Sequence, residues 1–526
     1  MGYPRRLTAL VIEDETSMVE TYRGYFEFFA GNDVAAPVIA QSYNDAKRLL
    51  AGPKVFQLVV LDLRLPNDAG SEADEASTLG LSLIKLLAER DHAPVPVLMV
   101  VTGDPNRIHK LQPLADQLKS DFWYGTVHKK SIDLQQDLEA GINKAREYTD
   151  LGILVTDDSD EARPLLTARE EDLLRRAALK NEAVGADLRW WSSPRRHASR
   201  PGPSADWLKV LEGEFLLPQD GRSQTYFFKF ESIGSAERSH SATKRLANKL
   251  PHVKVAGFYG SHSRGLLVTN KAGPSLARPQ RIESLLRGDV ARVDSAVERI
   301  VTDIAEQLAR FDKTAKQEIS LGRLAWNPPA ARRGELLADA TKSMRKDHGL
   351  LFTPTEMWEW FIALEDAVWL ERRPQHGDLH IENVSLDEDG GVLRAYIIDA
   401  GAIEEDVCGR DLAVLEVSCV LHQSYEGGES LVRAAAPLFD GTSPAGVDVA
   451  SLNLEGHRRN VVAFVDQVRR KALSECTPRA YAFMLLDVIL CQVGGFVFGT
   501  TRNRVVHSID AIDLLRLVTQ WLRPTG

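Results

Sequence analysis

Five short apolar runs, with helix-forming stretches between them, dominate the first 150 residues: Leu7–Ile12, Val38–Gln41, Leu58–Leu61, Val97–Val101 and Thr126–His128. Helical periodicity fills the intervals, as in Ser17–Phe29 and Leu79–Glu89. Strands this uniformly apolar, alternating with helices, require a parallel sheet covered on both faces. Parallel strands end on a common edge, so the residues that follow each run are gathered there however far apart they lie in the chain.

Those residues carry chemistry. Glu13 and Asp14 follow the first run, Asp62 the third in VVLDLRLP, Thr102 the fourth in LMVVTGD, and Lys129 or Lys130 the fifth in TVHKKS. Three carboxylates on one edge repel one another unless a hard cation such as Mg²⁺ sits among them. Mg²⁺ also takes a phosphate oxygen well, which makes Asp62 a candidate phosphoryl acceptor. Thr102 can then donate to one phosphoryl oxygen while Lys129 neutralises another.

This constellation resembles the receiver domain of two-component response regulators, over about residues 5–145. The resemblance implies a flavodoxin-like fold with a five-stranded parallel sheet. It implies Glu13, Asp14 and Asp62 as metal ligands, Asp62 as phosphoacceptor, Thr102 and Lys129 as the switch residues, and a phosphodonor such as a histidine kinase. Two departures stand out. Lys130 follows Lys129 where a proline is usual, and the acidic insert NDAGSEADEAST enlarges the loop after Asp62.

Residues 164–184 form a helix that opens on a capping box, Thr167 with Glu170. SSPRRHASRPGPS, Ser192–Ser204, then reads as a linker or surface loop. From Trp207 the pattern becomes strand-like, and after Gly273 it turns helical; Val293, Val297, Ile300, Ile304 and Leu308 mark one amphipathic helix. The expected organisation is an N-terminal domain at 1–150, a helical connector with its loop at 151–204, a strand-rich lobe at 205–272 and a helical lobe at 273–526.

The stretch PQHGDLHIENVSL places Asp378 five residues before Asn383, and Asp399 in YIIDAG follows sixteen residues later. Phosphoryl transfer needs a carboxylate to orient the acceptor hydroxyl and oxygen ligands for the metal on the nucleotide phosphates. The order HGDLHxxN, then IDAG, resembles the aminoglycoside and choline kinase branch of the protein-kinase-like fold, over about residues 205–500. That resemblance implies an α+β bilobal domain using ATP and Mg²⁺. Asp378 would be catalytic base, His376 a loop-shaping residue and Asn383 and Asp399 the metal ligands. Lys229 in TYFFKFE would reach the ATP phosphates and pair with Glu237. Asn270, Lys271 and Ala272 would line the adenine slot, and Asp411 in GRDLAVLE would brace the catalytic loop. No glycine-rich phosphate-covering loop precedes Lys229, and Glu382 stands where the family has a small residue.

Composition bounds the remaining classes. Lys+Arg 64 against Asp+Glu 74 gives a net charge of −10, which disfavours nucleic-acid binding by bulk charge. No apolar stretch is long enough to cross a bilayer and no signal peptide opens the chain, so a cytoplasmic protein is expected. The four cysteines form no Cys-x-x-Cys pair and read as buried reduced thiols. The function expected is bacterial signalling: a phospho-receiver controlling an ATP- and Mg²⁺-dependent transfer to a hydroxyl acceptor of unspecified identity. A homodimer through the receiver or connector is the expected assembly. The competing reading is a pseudokinase adaptor or nucleotide sensor that uses the receiver as a docking switch.

Overall fold

The computed structural model describes all residues except 1–5, 30–33, 73–78, 90–95, 104–123, 130, 132, 157–165, 192–194, 197–206, 219–223, 251, 262, 274–278, 321–353, 378, 390, 399–403, 424–430, 440–446, 497–510, 512, 520 and 523–526. The chain divides into two units: residues 1–195, 202–237 and 256–269 form the first, and 196–201, 238–255 and 270–526 the second.

The first unit begins with β1 (Ala9–Ile12), β2 (Val38–Ala40), β3 (Leu58–Asp62), β4 (Val97–Thr102) and β5 (Tyr124–His128). They form a five-stranded sheet in the order β2-β1-β3-β4-β5, with every pairing parallel. Among the described residues four helices accompany them: α1 (Thr16–Phe29), α2 (Tyr43–Ala51), α3 (Leu79–Glu89) and α4 (Leu134–Asp150). Alternate strand residues enter two separate cores. Leu10, Ile12, Val59, Leu61, Leu98 and Val100 pack with Ala46 and Leu50 of α2 and Leu83, Ile84 and Leu87 of α3. Ala9, Val11, Leu58, Val60, Met99 and Val101 pack with Tyr22 and Phe26 of α1 and Leu138 and Ile142 of α4. Burial on both faces is what makes the runs apolar throughout rather than alternating.

A second sheet completes this unit. Its strands are β6 (Gly152–Thr156), β7 (Gly185–Trp190), β8 (Arg195–Arg196), β9 (Trp207–Leu216), β10 (Thr225–Ser232), β11 (Val255–Gly260) and β12 (Arg264–Asn270). The order is β11-β12-β10-β9-β7-β6, with β8 beside β9. The segment read from sequence as a helical connector therefore supplies strands as well. β6 and β7 are parallel and flank α5 (Ala168–Lys180), while β7, β9 and β10 run antiparallel. Leu173, Leu174, Ala177 and Ala178 of α5 pack on Leu188, Trp190, Leu211, Phe228, Phe230 and Leu266 of the sheet. Of the Pro/Ser/Arg-rich stretch, only β8 lies within the described residues.

Glu170 locks α5 to that sheet. Its carboxylate accepts the Thr167 backbone N–H at 2.8 Å, closing the capping box, and accepts Lys209 Nζ of β9 at 2.6 Å. Arg264 of β12 donates to its other oxygen. All three charged side chains are buried.

In the second unit, α6 (Ile233–Ala247), which begins in the first unit, sends Ala242 and Leu246 into one large core, joined by Leu250 and Val253 of the turn that follows. The strand-rich lobe drawn from sequence at 205–272 is thus divided between the units. The same core takes α7 (Ile282–Leu286), α8 (Val290–Ala309), α9 (Pro354–Ile362), α10 (Arg410–Gln423), α11 (Leu431–Ala435), α12 (Gly456–Leu473) and α13 (Pro478–Phe496). Small antiparallel ladders interrupt the helices: β13 (Gln280–Arg281) with β17 (Val384–Asp389) and β18 (Val392–Ile397), β14 (Gln317–Ser320) with β15 (Ala367–Leu370), and β16 (Arg372–Gln375) with β19 (Glu404–Val407). Asp487, deep in the apolar α13, is buried against Arg410. Cys408 and Cys419 are buried free thiols and Cys476 is partly exposed. Among the described residues no helix is long and apolar enough to cross a membrane.

Removing one partner of a buried ion cluster strands the others. Glu170→Ala is expected to cost about 3–5 kcal/mol in denaturant unfolding, well beyond the ~1 kcal/mol of losing the cap alone in Thr167→Ala.

Candidate functional site

Strand order in the first sheet reverses between β1 and β3, and that is where a parallel α/β sheet opens a crevice. Glu13 and Asp14 leave β1 there, and Asp62 closes β3. A carboxylate oxygen from each lies within 4.8 Å of the others. Lys129, directly after β5, reaches across: its Nζ donates to Glu13 Oε1 at 2.7 Å and to Asp62 Oδ2 at 2.8 Å. The Lys129 backbone N–H donates to the Thr102 carbonyl at 3.0 Å, and Thr102 is buried at the end of β4. Of the two lysines left open by the sequence, Lys129 is the one at the site; Lys130 lies outside the described residues. Glu72 ends the described part of the acidic insert, and residues 73–78 lie beyond it.

Burial dominates the electrostatics. It pushes Glu13 up to about 7, with Lys129 opposing and Asp62 reinforcing the rise. Burial likewise raises Asp62, against the pull of Lys129. Lys129 is lowered by burial but raised more by Asp62 and Glu13 together, so it ends above its ordinary value. Among the described residues Glu13 Oε2 is buried without a hydrogen-bond partner. An orphaned carboxylate oxygen within an all-oxygen donor set fits Mg²⁺: Glu13, Asp14 and Asp62 would hold the ion, which would offset the charge of an incoming phosphoryl group.

In the second unit, β16 leads into the HGDLHIEN loop, and Asp411 at the start of α10 lies fully buried beneath it. Its carboxylate accepts the backbone N–H of His376 at 2.7 Å and of Gly377 at 3.0 Å. The Gln375 side-chain amide donates to it at 2.9 Å. Burial raises the Asp411 carboxyl, while His376 and these backbone donors counter the rise. Gly377 adopts φ +80°, a conformation that favours glycine. His376 Nε2 lies 3.3 Å from the Ile398 carbonyl. Asn383 ends a single 3₁₀ turn, Ile381–Asn383, and its carbonyl accepts the Ile398 N–H at 2.8 Å. Asp378 and Asp399 lie outside the described residues. For the metal expected there, the Asn383 amide oxygen and the Asp399 carboxylate are the hard donors that Mg²⁺ takes. Glu382 is buried, with Oε2 3.8 Å from His380 Nδ1.

Lys229 sits on β10, but the carboxylate beside it is Glu231 of the same strand, at 3.4 Å; Glu237 is exposed on α6. The signal for this was the period of two, which puts Lys229 and Glu231 of FKFE on one face. Lys271 Nζ donates to Asp387 at 2.8 Å, both side chains buried. Gly273 beside it has φ +102°, and a Cβ there would fall 2.3 Å from Asp387 Oδ2. Asn270 gives its backbone N–H to the Lys254 carbonyl, and Ala272 is buried. Lys229 belongs to the first unit and the HGDLHIEN loop to the second.

Residues 215–399 match the phosphotransferase enzyme family, APH. The matched span runs from the end of β9 through Asp399, so it takes in Lys229, the Lys271–Asp387 pair, the HGDLHIEN loop and Asp399 itself. It supports a kinase-like phosphotransferase domain in this part of the chain. The five-stranded parallel sheet, β6, α5 and β7 all precede it, and Asp411 follows it. No curated protein matches the chain.

The raised Glu13 carboxyl makes stability depend on pH. Its folded value, about 7, exceeds the ordinary 4.5, so the folded state binds the extra proton between those values. The stability it contributes is complete below pH 4.5 and is lost as pH rises through about 7. Denaturant unfolding in chelator should therefore show this loss in the wild type and a flatter profile in Glu13→Gln. Mg²⁺, which favours the ionised carboxylate, should offset the loss at the upper end.

Proposed function

We propose that this chain is a signalling phosphotransferase in which a phospho-accepting α/β domain controls ATP- and Mg²⁺-dependent transfer to a hydroxyl acceptor. The observation carrying the second half is the APH match over a span whose catalytic loop is braced from below by Asp411. The first half rests on Lys129 gripping Glu13 and Asp62 at the switch point of the parallel sheet.

In the first domain, an Asp62 carboxylate oxygen attacks the phosphorus of a phosphodonor such as a phosphorylated histidine kinase, and the donor's leaving group departs with the bonding electron pair. Lys129 and Thr102 then hold the new phosphoryl oxygens. In the kinase-like domain, Lys229 binds the nucleotide phosphates, and Asp378 orients the acceptor hydroxyl and receives its proton as that oxygen bonds the γ-phosphorus and ADP leaves with the electron pair of the broken P–O bond; Asn383 and Asp399 would hold Mg²⁺, which would neutralise charge on the phosphates. The protein acts in the cytoplasm of a bacterium.

α5 is the route between the domains. Its Arg169 donates to the Leu87 carbonyl of α3, the Tyr148 hydroxyl of α4 donates to the Asp172 carbonyl, and Glu170 grips β9 and β12. A change at Asp62 that moves α3 or α4 thus bears on the sheet that carries Lys229.

Three variants test this. Asp62→Asn should abolish a phosphoryl or beryllofluoride adduct seen by mass spectrometry or fluorescence. In wild type, the adduct should shift nucleotide affinity by about 1–3 kcal/mol of coupling. Asp399→Asn should weaken Mg²⁺-dependent ATP binding, whereas Asp378→Asn should keep binding and lose ~10²–10⁴-fold in turnover. Cellular output untouched by Asp378→Asn would favour a pseudokinase adaptor instead.

A further inference from the structure

β18 lies at the edge of its ladder, whose order is β13-β17-β18, so among the described residues its outward backbone groups have no neighbouring strand. Edge groups of this kind are usually left to water or covered. Here side chains from distant parts of the chain meet them. Asp303 of α8 accepts the Ala395 N–H at 3.1 Å. Gln307, one turn further along α8, donates to the Ala395 carbonyl at 2.7 Å and accepts the Ile397 N–H at 2.9 Å. His252, in the turn after α6, places Nε2 3.2 Å from the Ile397 carbonyl. A carbonyl only accepts, so Nε2 carries the proton. Burial holds this imidazole below its usual pKa, in the neutral form with a single N–H to commit. Its ring meets Tyr396 edge-on at 5.2 Å.

The pairing is concentrated at Ala395 and Ile397, just before the chain passes through Ile398 to Asp399. We propose that His252 and Gln307 are positioning residues for Asp399: they fix the height and twist at which β18 ends, two residues before Asp399 in the chain. This rests on the phosphotransferase reading. Among the described residues neither bonds the catalytic loop itself, whose supports include Asp411 and Ser418. A side-chain clamp is also more exacting than a strand neighbour, because Gln307 must donate and accept at once to fit two successive outward groups.

The test uses the full chain with His252→Phe, which keeps a ring against Tyr396 but loses the donor; His252→Gln, which keeps an N–H; and Gln307→Met, which keeps length but neither polar group. Two readouts are taken on variants whose thermal unfolding remains cooperative. The first is hydrogen exchange of the peptide spanning 392–398. His252→Phe and Gln307→Met should speed exchange there, and His252→Gln should restore it. The second is ATP binding by calorimetry with Mg²⁺ and with chelator. The first two variants should lose about tenfold or more in Mg²⁺-dependent affinity, the usual scale for residues that orient a metal ligand, with binding in chelator unchanged. Unchanged exchange in both variants would overturn the clamp. Equal losses with and without Mg²⁺, or no rescue by glutamine, would reduce it to general packing and overturn the positioning role. If the wild type itself shows no Mg²⁺-dependent ATP binding, the phosphotransferase reading falls, and with it the role at Asp399, while exchange still reports separately on the clamp.

Discussion

A single buried carboxylate, Glu170, holds together elements that the chain builds nearly 100 residues apart. Its charge cannot be left alone in an apolar interior, since an unpaired buried ion costs several kcal/mol. Lys209 of β9 and Arg264 of β12 are in the same position, so the three are obliged to meet. Once they do, α5 is fixed across the sheet that bears Lys229, and the register of β9 against β10 follows from the same anchored strand. Arg169, the preceding residue, points to the Leu87 carbonyl of α3. Two successive side chains of one helix thereby join both sheets of the first unit.

Much of the first sheet was legible because burial on both faces leaves an unmistakable mark: apolar runs bounded by charge. The site at its edge was legible for the same reason, since strand ends are where those runs stop. The second sheet was half legible. β9, β10, β11 and β12 showed strand character, but β6 and β7 did not, because GILVT is short and exposed along much of its length and GADLRW alternates around charged residues. α5 declared itself through its capping box, yet nothing local says that its Glu170 will be shared with two strands. Long-range pairing of this kind is invisible to periodicity. Lys229 and Lys271 show the same limit: family spacing suggests their roles, but not the carboxylates beside them, Glu231 and Asp387.

The two candidate sites bury carboxylates by opposite means, and the difference bears on what each can do. Asp411 is satisfied by neutral donors that cannot leave, two backbone N–H groups and an amide. Its arrangement is fixed with the fold, which suits a brace under a catalytic loop. Glu13 and Asp62 are held instead by one ammonium on a flexible four-carbon stem, and one oxygen of Glu13 stays unsatisfied. That grip is exchangeable: a divalent cation can take over the carboxylates and release Lys129 without unfolding anything. Because the Lys129 backbone N–H bonds the Thr102 carbonyl, a shift of the lysine is passed to the end of β4. Movement on binding charge is therefore possible at the first site and disfavoured at the second.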